Sequence, residues 1–450
     1  MNEKLLQNHY NILKYKLLPG NDRINTAKFN KQYIETFQNV IKKYNNGTFH
    51  FTSYKKINTV NNRKVYLATI RDRVILNVLK DHIQYKYKIN YKNRQNEIKK
   101  LINILSDCLP LTLIKLDIKD FFNSINKAKL FSKLNESSLL GSNEYLLISR
   151  ALQQLKKGVG QGLPISNALA EIFMENLDWE LKRISQNIAF YSRYVDDIII
   201  ILNGKLTDIE LDDITTKIDD LLEKNSLVRN EKSIIQRLDT KTQFNYLGYL
   251  FTREEIIDDS KGDYKINLNI GITQSKYNKE CKKIISTFKD YQQNKNFDKL
   301  EERLSILTCR NIIIKRTQKI SSQVENNIEH NDKPICFGLI ENYNQINNKD
   351  VLVNLDKFLA KNILIYVSDK KKRNRLFRFS YFRNFNSKRT NNFSAYTKNR
   401  FIDLMFNMDI GKTFDEDDDY EHFYTYYFNQ LDEVELQQLY LKDILSVFKV

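Results

Sequence analysis

Cysteine, proline, glycine and tryptophan are all scarce in this chain, whose 450 residues hold four Cys, four Pro, 12 Gly and one Trp. Cys108, Cys281, Cys309 and Cys336 lie far apart and form no CxxC pair, which excludes the usual zinc modules and a disulfide framework and fits a reducing compartment. No long Pro-, Gly- or Ser-rich linker divides the chain, so its lobes are expected to pack closely. The histidines, at positions 9, 50, 82, 330 and 422, show no metal-ligand spacing. Long hydrophobic runs are missing as well. The purest, Ile198 to Leu202, falls far short of the roughly 18 residues that span a bilayer, and Met1-Asn2-Glu3-Lys4 opens without the apolar core of a secretion signal. A cytoplasmic protein with no membrane partner is expected.

What the chain has in plenty is positive charge and aromatic surface. Lys and Arg number 72 against 55 Asp and Glu, a net charge of +17, and a polyanion is the natural partner of that excess. An Asn/Lys-rich base composition would also raise lysine, so charge alone does not decide the partner. With 26 Phe, 26 Tyr and an apolar fraction of 41%, burial can offset the entropy of ordering, and a globular protein follows.

Residues 1 to about 108 read as mostly helical, with amphipathic stretches at Tyr33 to Tyr44 and Val74 to Tyr85 around an extended section near Thr48 to Ile70. Leu111 to Ile118 alternates like a strand, which puts Asp117 at a strand end, and Phe121 to Leu134 and Glu144 to Leu155 read as helices. A glycine loop, Gly158-Val159-Gly160-Gln161-Gly162, runs through Leu163-Pro164-Ile165-Ser166-Asn167 into an amphipathic helix with apolar residues at 168, 169, 172, 173, 177, 181 and 184. Ile188 to Tyr194 and Ile198 to Leu202 are apolar runs joined across Val195-Asp196-Asp197, a hairpin with acids at its tip. A helix over Leu206 to Lys224 and a second hairpin over Gln243 to Phe251 follow. Past Gly271 the periodicity predicts helix through Lys315 and mainly helices to Val450.

Adjacent aspartates at a turn between apolar strands repel each other where the strands partly desolvate them. Standing alone, the pair would suit a solvated turn better. Joining a nucleotide to a 3′-hydroxyl, however, needs several hard carboxylate oxygens from different segments, so that two Mg²⁺ ions sit roughly 3.5 to 4 Å apart. Asp117, Asp196 and Asp197 are the candidate catalytic residues and metal ligands, for Mg²⁺ or Mn²⁺ in its place.

Further blocks, in order, make residues 48 to 252 resemble a reverse transcriptase. Ile114-Lys115-Leu116-Asp117-Ile118-Lys119-Asp120-Phe121-Phe122-Asn123-Ser124-Ile125 resembles the motif with the first metal-binding aspartate. The resemblance makes Phe122 the gate that excludes a ribose 2′-hydroxyl, with Phe121 in the core. Gly160 to Asn167 resembles the block against the nascent base pair, with Gln161 and Gly162 near the incoming nucleotide. Arg193-Tyr194-Val195-Asp196-Asp197 resembles the catalytic turn, and Leu227 to Ser233 the block whose lysine, here Lys232, can protonate the leaving pyrophosphate. Phe244 to Phe251 resembles the primer-gripping hairpin, with Tyr246 and Gly248 at its core. Upstream, Arg63 and Arg71-Asp72-Arg73 resemble the fingers motif that clamps the triphosphate, with Arg63 and Arg73 as its ligands; Lys64 to Ala68 replace the Pro and Gly residues common in that stretch.

The resemblance implies an α+β right-hand polymerase: fingers at 1–108, a palm with an antiparallel sheet at 109–255, a helical thumb at 256–320 and a mainly helical accessory domain at 321–450. It implies an RNA-directed DNA polymerase using dNTPs, with RNA as template, primer or structured partner and DNA as product. Asn167 stands where bacterial group II intron enzymes usually have proline, and the retron Asn-Ala-x-x-His block is not found, so the chain is more similar to bacterial defence-associated, abortive-infection reverse transcriptases. A homo-oligomer or an accessory protein stays open. So do a template-independent or protein-primed DNA polymerase, an RNA-dependent RNA polymerase and an inactive nucleic-acid-binding scaffold.

In the C-terminal part, residues 370 to 400 hold eleven basic residues and no acid, with Phe377, Phe379, Tyr381, Phe382 and Phe385 interleaved. Such interleaving suits phosphates and stacked bases, and Lys371, Arg373, Arg375, Arg378 and Arg383 are the candidate nucleic-acid contacts. Asp415 to Glu421 reads as a solvated acidic run, and Tyr420, Tyr424, Tyr426 and Tyr427 as packing residues whose hydroxyls would serve a protein-primed reaction.

Overall fold

The structure, a computed structural model, describes residues 1–14, 17, 19–20, 22–58, 64–238, 241–257, 264–320, 328–408 and 431–447. Its strands are β1 (Lys55–Asn58), β2 (Lys64–Leu67), β3 (Leu111–Asp117), β4 (Ile188–Tyr194), β5 (Asp197–Asn203), β6 (Ile234–Arg237), β7 (Lys241–Tyr246), β8 (Tyr249–Ile257), β9 (Tyr264–Ile272), β10 (Arg310–Ile320), β11 (Ile328–Phe337) and β12 (Thr390–Asn392). Contacts divide the chain into two units, one of residues 1–247, 252–268 and 320–329, the other of 248–251, 269–319 and 330–450.

The first unit is built on a four-stranded sheet in the order β4-β5-β3-β6, with antiparallel neighbours throughout. From Ile198 to Leu202 every residue of β5 is buried, which explains a continuous apolar run where a one-sided strand would alternate. The helix Ser166–Leu181 buries Ala168, Leu169, Ile172, Phe173, Leu177 and Leu181, the face its spacing predicts. The helix expected from Leu206 begins at Asp208, because Thr207 and Glu210 form a reciprocal capping box. The helix expected over Phe121 to Leu134 is two, Phe121–Ser124 and Lys127–Ser137, since the Asn126 side chain caps a new start.

One residue that sequence pattern does not single out braces the approach to β3. Arg253 is buried and donates to the carbonyls of Leu105, Asp107, Leu109 and Leu238 at 2.7–3.1 Å, while Glu255 offsets its charge at 3.0 Å. It fixes the turn from which Leu111 enters the sheet.

The second unit contains the helices Gln274–Asn294, Phe297–Thr308 and Asp350–Tyr366. Here the helical reading through Lys315 is corrected: Arg310–Ile320 is a strand at the centre of a sheet ordered β11-β10-β12. Helix Phe297–Thr308 stops because Cys309 is extended and the buried Asn311 amide donates to the carbonyls of Ile306 and Cys309. The β-branched Ile312-Ile313-Ile314 then suits a pleated strand. Strands β7, β8 and β9 form a further three-stranded sheet, so Tyr264–Ile272 adds a strand where a helical thumb is expected. No helix among the described residues is long and apolar enough to cross a membrane.

Candidate active site

Antiparallel pairing of β3 with β5 sets Asp117 directly opposite Asp197 at the end of the sheet. The pairing of β4 with β5 sets Tyr194 opposite the same Asp197, leaving Val195 and Asp196 as a two-residue loop. Val195 has φ +61°, whereas Asp196 has no positive φ. That is the pattern of a type II′ turn, whose first loop position favours glycine and penalises a β-branched residue. The strained turn is held by Arg193, whose guanidinium donates to the Val195 carbonyl at 3.0 Å.

The same guanidinium grips Asp178 at 2.8 Å and Glu171 at 2.6 Å, and is itself only 6% exposed. Glu171 and Asp178 are seven residues apart on one face of helix Ser166–Leu181, so the helix that follows the glycine loop is tied to the acidic turn. Burial opposes the charge on Arg193, but the two carboxylates outweigh it and raise its pKa. Arg193 is the residue that sequence reasoning passed over; its place beside the paired aspartates was the available signal.

Asp117 is half-buried, and among the described residues its carboxylate has no hydrogen-bond or ion-pair partner. Its backbone is laced to the next segment: Asp117 N–H donates to Ser233 Oγ at 3.1 Å, and Asn230 N–H donates to the Asp117 carbonyl at 2.8 Å. Lys232 is exposed beside Ser233, so its chain position adjoins that of Asp117. No three His, Cys, Asp or Glu side chains among the described residues are gathered into a ready metal cluster. What the fold supplies is backbone placement: two carboxylates facing across a register, a third one residue away, all hard oxygen donors of the kind Mg²⁺ takes. That donor set fits a divalent cation.

Phe121 is buried and Phe122 half-buried at the core edge, their rings 5.2 Å apart. Val159 N–H donates to the Phe122 carbonyl at 2.9 Å. Gly158, at φ +61°, leaves no room for a β-carbon, which would lie 2.0 Å from that carbonyl oxygen. The glycine loop thus braces Phe122. It also braces β2: the Gln161 carbonyl accepts from Tyr66 N–H at 2.8 Å, and a β-carbon on Gly162, at φ +99°, would stand 3.0 Å from the Tyr66 carbonyl oxygen. The Gln161 side chain stays half-exposed.

Arg63 lies outside the described residues, as do Asp415 to Glu421 and Tyr420, Tyr424, Tyr426 and Tyr427. Arg73 is half-buried on helix Ile70–Lys86; burial lowers its pKa and Asp22 opposes the shift. Beside it, Asp72 is fully buried and accepts from Thr52 and Arg71, anchoring the helix start.

Tyr246, expected at the primer surface, is corrected by its burial: at 1% exposure its ring cannot stack on a strand. It lies in the field of Asp197 and Glu97, and burial first, then those charges, push its phenol pKa up. Gly248 sits in the turn from β7 to β8 at φ +82°. Leu247, the other turn residue, has its carbonyl held by Arg94 at 2.6 Å.

In the basic stretch, Phe379 and Tyr381 are buried, so these rings are core rather than stacking surfaces; Phe377 is 40% exposed. Arg373 donates to the carbonyls of Val367 and Leu364 and so caps helix Asp350–Tyr366 instead of facing a ligand. Arg375 and Arg378 pair with Glu301, Arg383 bonds the Phe377 carbonyl, and Lys371 is exposed.

An antiparallel sheet with opposed strand-end aspartates and a third in the adjoining turn defines a palm-type nucleotidyltransferase, and the architecture is the α+β one of a right-hand polymerase. Residues 41–251 match the reverse transcriptase (RNA-dependent DNA polymerase) family, and over this segment the chain is similar to that class of nucleotidyltransferase. Among curated proteins nothing matches the chain. Among solved structures it is similar to apo telomerase from Candida tropicalis truncated from the C-terminal domain, at 15% identity and a TM-score of 0.34, over 54% of this chain and 61% of that one. The chain thus spans about three fifths of that structure's length.

Proposed function

We propose that the protein is a divalent-metal-dependent reverse transcriptase that makes DNA on, or primed by, a partner RNA, in bacterial antiphage defence. The observation that carries this reading is the placement of Asp117 opposite Asp197, with Asp196 in the adjoining turn, inside the segment that matches the reverse transcriptase family. Held by these three carboxylates, Mg²⁺ or Mn²⁺ would lower the pKa of a primer 3′-hydroxyl and offset charge on the phosphates. Phe122 would crowd a ribose 2′-hydroxyl, Gln161 and Gly162 would border the incoming nucleotide, and Arg73 and Arg63 would hold its triphosphate. Lys232 would give a proton to the departing pyrophosphate.

We assign fingers, palm, thumb and accessory domain to 1–108, 109–255, 256–320 and 321–450. The defence role is supported by the resemblance to abortive-infection enzymes, which join this core to C-terminal extensions.

The test is extension by purified protein on a primed RNA of mixed sequence, with dNTPs and with NTPs, followed by sequencing of the product. Complementary DNA is the expected product. Equal use of NTPs would instead indicate an RNA polymerase, and a homopolymer an untemplated enzyme.

A further inference from the structure

The second unit contains a cleft of about 470 Å³ lined by Arg378, Arg383, Asn384, Asn386, Ser387 and Arg389. Three guanidinium-bearing residues and three neutral polar ones meet there, and no carboxylate lines it. Arg378 is partly neutralised by Glu301 at 3.1 Å. Among the described residues Arg383 and Arg389 form no ion pair. Like charges gathered without a counter-ion repel, and an anion would remove that cost.

The cleft is built rather than incidental. Helix Tyr381–Ser387 ends at Lys388 with φ +53°, which turns the chain back so that Arg389 N–H donates to the Asn384 carbonyl at 3.0 Å. The Arg389 carbonyl accepts from Arg310 N–H at 3.1 Å, and the buried Asn384 amide is anchored on Thr308. The start of the helix is already occupied, because Asp356 accepts from Tyr381 and Phe382 N–H. The anion site is therefore one of side chains rather than of helix N–H groups.

We propose that this cleft binds the phosphodiester backbone of a single nucleic-acid strand, with Arg383 and Arg389 as its principal contacts. A strand fits better than a free small anion. The cleft lies within a basic stretch with no acid from 370 to 400, and the half-exposed Phe377, whose carbonyl Arg383 holds at 2.7 Å, offers a ring face for a base. The inference rests on the reading of the chain as an enzyme that copies nucleic acid, but its test needs no chemistry.

Fluorescence anisotropy of the full chain in an Asp196→Ala background, titrated against labelled single-stranded RNA and DNA over a salt series, measures the contacts directly. Each phosphate contact contributes about 0.7 to the slope of log K against log salt for a single strand. Arg383→Gln with Arg389→Gln is expected to lower the slope by about 1.4, beyond any change in a Lys99→Gln, Lys279→Gln control of equal charge. Arg383→Lys with Arg389→Lys keeps both charges and is expected to keep the slope, which guards against a folding defect in the Gln pair. Loss on RNA, on DNA or on both supports the cleft and names its strand. A slope no different from the control on both strands overturns it.

Discussion

Arg193 donates a hydrogen bond to the carbonyl of Val195, two residues along, at 3.0 Å, and so fixes the first position of the acidic turn. The remaining guanidinium N–H groups engage Glu171 and Asp178, which makes one buried side chain the joint between helix Ser166–Leu181 and the paired aspartates.

Arg193→Leu leaves both carboxylates without their cation. Breaking a buried ion pair from one side costs about 3–5 kcal/mol, which urea unfolding will read. Because Arg193 is buried and holds the turn, kcat for dNTP incorporation is expected to fall more than KM changes. Arg193→Lys keeps charge without the fork and recovers only part of the loss. An Arg193→Leu enzyme with unchanged kcat would mean that the turn holds itself.

Glu97 gives the fold a defined response to acid. Burial would raise its pKa, but hydrogen bonds from Ser192 and Lys100, and the charges of Lys92 and Lys100, outweigh burial and hold it below 4.5. The unfolded chain therefore binds a proton that the folded one refuses. Stability from this group is present above the unfolded value and is lost as pH falls through the folded one. Unfolding free energies measured from about pH 6 downward should show Glu97→Gln differing most from the native chain at the upper end, the gap closing in acid. A constant gap would dissociate Glu97 from the effect.

Phe122 is predicted to set sugar choice. Trimming it to Ala opens space beside the nucleotide and is expected to raise ribonucleotide use relative to deoxyribonucleotide by about tenfold, near 1.4 kcal/mol of discrimination. Competing dNTP and NTP incorporation measures the ratio. No change would leave Phe122 as a packing residue.

The palm was legible in sequence wherever burial imposes a pattern. The apolar runs flanking Asp196-Asp197, the amphipathic face of Ser166–Leu181 and Asp117 at a strand end all lie where spacing places them. Arg193 was not legible, because an arginine within a strand of a chain carrying 72 basic residues looks like surface until its two carboxylates, distant in sequence, are seen to meet it. Strand Arg310–Ile320, at the centre of its sheet, escaped in part for a related reason: one of its two partners, Thr390–Asn392, is some eighty residues away, and local periodicity cannot register such a pairing. Phe379 and Tyr381 show the converse error, in which residue type suggested a stacking surface and burial placed the ring in the core.

The most direct measurement is dNTP incorporation on a primed RNA with Mg²⁺ by the native chain and by Asp117→Ala, Asp196→Ala and Asp197→Ala, each with its thermal unfolding recorded. Incorporation by the native chain, and its loss in all three variants at unchanged melting temperature, is what this account predicts. Synthesis that survives Asp196→Ala, or a native chain that incorporates nothing, would contradict it.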